Sequence, residues 1–160
     1  MLYSALGQKQ KSNEYFDKTV KLTKIWITDA EKDGTSSDTV KEIKAELAGI
    51  YLHAYFAACE AGDNQGQIDK IVSATELQKE LKGEDSQEVL SNLFLAAQSQ
   101  LRTGRFDDAL KTNDQVIAKI EGVREQLGPD FAVVVSKFYA QQANIAFVTG
   151  NYQLSKQAVE

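Results

Sequence analysis

The chain has 160 residues, 42% hydrophobic and 26% charged, a soluble composition sufficient for one domain with a continuous core. Its formal charge of −5, from 23 acidic and 18 basic residues, repels phosphate backbones and argues against nucleic acid as a direct partner. No window reaches the roughly 18 uninterrupted apolar residues of a membrane helix, so membrane insertion is not expected, and one proline against ten glycines favours long helices.

In chain order, the start MLYSALGQKQKS lacks the basic segment and apolar run of a secretory signal. A long helix is expected over 8–32. The run DGTSSD (33–38) reads as a turn whose Ser and Asp can cap the next helix. Helices over 38–61 and 65–82 form a pair, as do helices over 86–103 and 106–126. In the first helix of that second pair, Leu90, Leu93, Phe94, Ala97 and Leu101 follow the spacing of a buried stripe. Asp85 with Glu88 three residues on resembles a capping box at its start. Pro129 stands where another helix begins, a position that needs no N–H. Residues 130–149 and 152–160 complete a last, truncated pair.

Internal self-similarity runs through these elements. Gly7, Gly62, Gly104 and Gly150 each end a stretch with apolar residues at helical spacing, the place where a residue with positive φ closes a helix. Five residues after each glycine stand Ser12, Gln67, Ala109 and Ser155, and nine after stand Phe16, Ile71, Asn113 and Val159. Eleven before the last three glycines are Tyr51, Leu93 and Tyr139; seven before are Tyr55, Ala97 and Ala143. Large residues at such offsets fill the gap between paired helices, and small ones let the backbones approach.

At these residues the chain resembles the tetratricopeptide repeat, a helix–turn–helix unit with a large residue, a small one, a turn glycine and a following aromatic. Phe106 and Tyr152 supply the post-turn aromatics, whereas Asn64, Gln67 and Asn113 depart from the pattern. The glycines are 55 (7 to 62), 42 (62 to 104) and 46 (104 to 150) residues apart, longer than the usual unit. With the connectors LKGEDSQEVL and LGPDFAVVV, this is similar to the kinesin-light-chain subtype. The resemblance implies an all-α, right-handed α-solenoid of stacked antiparallel helix pairs. Its units are a truncated repeat over 1–33, repeats over 38–82 and 86–126, and a truncated repeat over 130–160. Because both outer helices are short and uncapped, the chain is expected to belong to a longer solenoid whose open ends permit self-association.

Catalytic chemistry finds no footing in the sequence. His53 is the sole histidine, so no two-histidine metal site or relay can be built, and Cys59, six residues on, lies on a different helix face. There is no phosphate loop, zinc-ligand spacing or nucleophile elbow. The acidic run GEDSQE (83–88) lacks the alternating oxygens of a calcium loop and suits a helix N-terminus instead. No cofactor or metal is expected, and the chain itself is not expected to be an enzyme. Trp26 packs with Leu22 and Ile25 beneath the next repeat, or else forms a partner hot spot.

The resemblance further implies a concave groove lined by the first helices of successive units. It places Leu52, His53 and Phe56, then Phe94, Gln98 and Arg102, then Lys137, Gln141 and Asn144 along that groove. Independently of the family, Gln98 with Arg102 and Gln141 with Asn144 each lie three or four apart on one ridge. Amides there can bond an extended peptide, and Arg or Lys can select acidic groups. The lysine, asparagine and arginine set of a chaperone-tail clamp is not matched in its distribution. The expected function is a cytoplasmic protein-interaction scaffold that takes a partner peptide or helix; the alternatives are an accessory region of an enzyme and a structural spacer.

Overall fold

The computed structural model describes the backbone of residues 2–123 and 129–151, and the side chains of residues 11–121 and 135–151. Among the described residues the chain is all helix, with no strand. The helices are α1 (Leu2–Lys32), α2 (Ser37–Ala61), α3 (Asn64–Lys82), α4 (Gln87–Arg102), α5 (Phe106–Val123) and α6 (Pro129–Val148). The expected spans over 38–61, 65–82, 86–103 and 130–149 agree with these to within a few residues, and that over 106–126 agrees as far as residue 123, residues 124–126 lying outside those described. The helix expected over 152–160, with Tyr152, Ser155 and Val159, lies outside the described residues. The fold divides into two compact units, residues 1–89 and 90–160.

In the first unit α1 packs on α2, and α2 on α3. Val20, Ile27 and Ala30 recur at three- and seven-residue intervals along α1, so they share the face turned to α2. They join Val40, Ile43, Leu47 and Tyr51 of α2 and Ala74 of α3 in one core. Lys44 of α2 ties the three helices at their polar edge, its ammonium 2.9 Å from Glu31 and 2.8 Å from Glu80. Lys70 of α3 reaches Asp17 of α1 at 3.2 Å.

The second unit is centred on Leu90, Val116, Ile117, Ile120 and Phe138, with Leu93, Phe94, Val135 and Tyr139 packed around them. α4 and α5 are linked by Thr112 donating to the Gln100 side-chain carbonyl at 3.0 Å. α5 packs on α6. There Asn113 takes the position where the repeat pattern expects an apolar residue. It is fully buried, and its Nδ2 donates to the Phe138 carbonyl at 3.1 Å. The departure in sequence is thus a specific bond between neighbouring helices. Gln67, a second departure, is likewise buried, whereas Asn64 is exposed.

Helix ends repeat one construction. Gly34, Gly62, Gly104 and Gly150 all have φ between 71° and 77°. In each case the following residue donates its N–H to the carbonyl five positions earlier: Thr35 to Ala30, Asp63 to Ala58, Arg105 to Gln100, Asn151 to Ala146. This closure satisfies carbonyls that the last helical turn leaves open.

Two expectations are corrected and one is refined. No turn occurs at Gly7, because α1 runs through it. The residues that follow, Gln8 to Lys11, are good helix formers with no capping side chain, so a single glycine costs the helix only about 1 kcal/mol. Gly34 is the turn glycine there instead. At the start of α4 Ser86, one residue past the expected Asp85, is a capping side chain, its Oγ accepting from the Val89 N–H at 3.4 Å. Finally, Leu22, Ile25 and Trp26 do not pack beneath a neighbouring helix. They are 66%, 48% and 60% exposed, because the face set by Val20, Ile27 and Ala30 leaves them on other sides of α1.

Candidate interaction cleft

α6 is held in register on α5 by bonds at several points along the pair. Besides Asn113 to the Phe138 carbonyl, Gln142 Nε2 donates to Asp114 at 2.7 Å and the Tyr139 hydroxyl to Glu121 at 2.7 Å. This fixes Phe138, which is 1% exposed, at the base of a depression between α4 and α6. Phe94 of α4 meets it edge to face, ring centroids 5.2 Å apart and planes at 81°, a favoured aromatic geometry. Ser91 and Leu95 of α4 and Lys137 of α6 complete a cleft of about 290 Å³. Its lining is chiefly apolar with one cation at the edge. That volume is at the lower limit of small-molecule sites and suits one large apolar side chain.

The expected groove residues distribute unevenly. Phe94 and Lys137 come together at this cleft. Gln98 is half-buried on α4, Arg102 is exposed with its guanidinium 3.4 Å from Ser99 Oγ, and Asn144 is exposed on α6. Gln141 is only 6% exposed, and neither atom of its amide has a hydrogen-bond partner. It belongs to the interior of the second unit and not to an open surface, having followed the buried spacing of Phe138 and Ile145. In the first unit, Leu52 is half-buried against the core, His53 is exposed, and Phe56 is 52% exposed with its ring edge to face on Tyr55.

Sequence reasoning missed Ser91, Leu95 and Phe138. The signal for Phe138 was present: Val135, Phe138 and Ile145 repeat at helical spacing, as the stripe of α4 does. Cys59 is half-buried on α2, on the same helix as the exposed His53. Among the described residues no group of three His, Cys, Asp or Glu side chains is placed to hold a metal ion. No described helix is long and apolar enough to cross a membrane. Neither a protein-family model nor a curated protein matches the chain.

Proposed function

We propose that the chain is a protein-interaction scaffold of the tetratricopeptide-like α-solenoid kind, and that the α4–α6 cleft receives one apolar side chain of a partner peptide or helix. The observation that carries this reading is the cleft itself. Phe94, Leu95 and Phe138 form an apolar socket between two helices, and the exposed Lys137 stands at its edge. Such a socket rewards an apolar anchor, while the lysine favours a carboxylate beside it. The recurring glycine closure and the packing of consecutive helices support the repeat architecture.

Selection from a random peptide library on the immobilised chain tests the proposal. Enriched peptides should carry a large apolar residue flanked by Asp or Glu. Ser91→Trp, at an exposed position beside the socket, should abolish their binding. Lys137→Glu should weaken it roughly three- to tenfold and favour basic flanks. Binding that both variants leave intact would refute the assignment.

A further inference from the structure

The outer ridge of α1 carries large apolar residues that no described residue of the first unit covers. Tyr15 is 67% exposed, and with Leu22 and Trp26 it recurs at seven- and four-residue steps, so the three lie within roughly 40° of one another around the helix. Ile25 flanks them. Monomeric surfaces tolerate single exposed apolar residues, but a contiguous ridge of aromatic and aliphatic side chains marks an interaction surface.

The charges along this ridge say what fits it. Lys11 and Lys18 are exposed in its N-terminal half, and Asp29 and Asp33 in its C-terminal half, all within the same sector. The Asp33 N–H still bonds the Asp29 carbonyl at 2.9 Å, so the ridge continues to Asp33. Among the described residues none of these four charges is in an ion pair; Lys18 stands over the Tyr15 ring, 5.8 Å from its centroid. A parallel mate would set like charges together. An antiparallel copy of the same ridge, crossing at Leu22, reverses every match: Lys11 meets Asp33 of the other copy, Tyr15 meets Asp29, and Lys18 meets the Trp26 ring. At the flank, Glu14 falls near Lys32 of the other copy. A self-complementary surface of this kind is what a two-fold dimer requires.

We propose that two copies of this chain pair antiparallel through the Lys11–Asp33 ridge of α1. The proposal is independent of the α4–α6 cleft and replaces association through open solenoid ends with association through one helix face. The ridge is roughly 33 Å long. A contact of that size falls at the low end of specific interfaces, so the dimer is reversible, with a dissociation constant on the order of 10 µM.

Sedimentation equilibrium of the 160-residue chain from about 1 to 500 µM, at low and high salt, tests this. A monomer–dimer equilibrium weakened by salt is expected. Emission of Trp26, the only tryptophan, should shift to the blue as concentration rises. Leu22→Arg, at an exposed position, should abolish dimerisation while leaving the helical circular dichroism unchanged. Lys11→Asp with Lys18→Asp should weaken the dimer at least tenfold, and adding Asp29→Lys with Asp33→Lys should restore it. The proposal is overturned by a monomer at every concentration, which would leave the ridge to a different partner. It is equally overturned by a dimer indifferent to Leu22→Arg, or by a failure of the fourfold reversal to restore pairing.

Discussion

The ammonium of Lys44 lies 2.8 Å from the carboxylate of Glu80, a bond across 36 residues that fastens α2 to α3. Glu31 of α1 shares the same nitrogen at 2.9 Å. Hydrogen bonds that the Lys44 ammonium donates to Glu80 and then Glu31 hold its pKa above the ordinary lysine value of 10.5, against the opposing effect of its burial. A folded-state pKa raised above the unfolded one means that the pairing contributes stability below about pH 10.5. That contribution is lost as pH rises through the folded value. Lys44→Met is therefore expected to lower stability by about 1 kcal/mol near neutral pH. In urea unfolding as a function of pH, the gap to the parent chain should close above pH 10.5.

Two buried amides should respond in opposite directions. Asn113 uses its Nδ2 on the Phe138 carbonyl, and truncation to Ala removes that bond and leaves a gap between α5 and α6. A loss of about 1–3 kcal/mol is expected from urea unfolding. Gln141 is buried with neither amide atom bonded. Replacing it by Leu, of similar volume, removes that desolvation cost and should raise stability by about 1–2 kcal/mol.

The joint between α2 and α3 has two separable parts. Gly62 closes α2 at φ 71°, and Asp63 caps α3 by accepting the Gly66 N–H at 2.9 Å. Gly62→Ala should cost about 1–2 kcal/mol, because a side chain with Cβ is strained in the left-handed region. Asp63→Ala should cost about 1 kcal/mol through the cap. Thermal unfolding of the single and double variants would test whether the two effects add.

Helix content was legible in the sequence because it rests on local signals: scarce proline, apolar residues every three or four positions, and the capping run DGTSSD at 33–38. Gly7 misled because a glycine after an apolar run marks a stop only when a capping residue or turn follows, and Gln8 to Lys11 offer neither. The cleft was half legible. Phe94 and Lys137 were singled out, but the socket depends on the rotation of α6, which Asn113 and Asp114 of α5 set by long-range bonds that spacing along one helix does not reveal. Gln141 was misplaced for the same reason: a polar side chain suggested an outward face, while the turn-by-turn register of Phe138 and Ile145 directs it inward. Trp26 admitted two readings, and the register of Val20 and Ile27 removes the packed one.

At Gly34, Gly62, Gly104 and Gly150 an added Cβ would find open space, with no neighbouring atom within 4 Å. Torsion alone therefore restricts what may stand there. Asn, the residue that best tolerates such a torsion, is the least disruptive substitute at all four, whatever the helices around them have become. Those joints can be kept fixed while the faces beside them drift, so the identity of any ligand would be written in the helices and never in the corners.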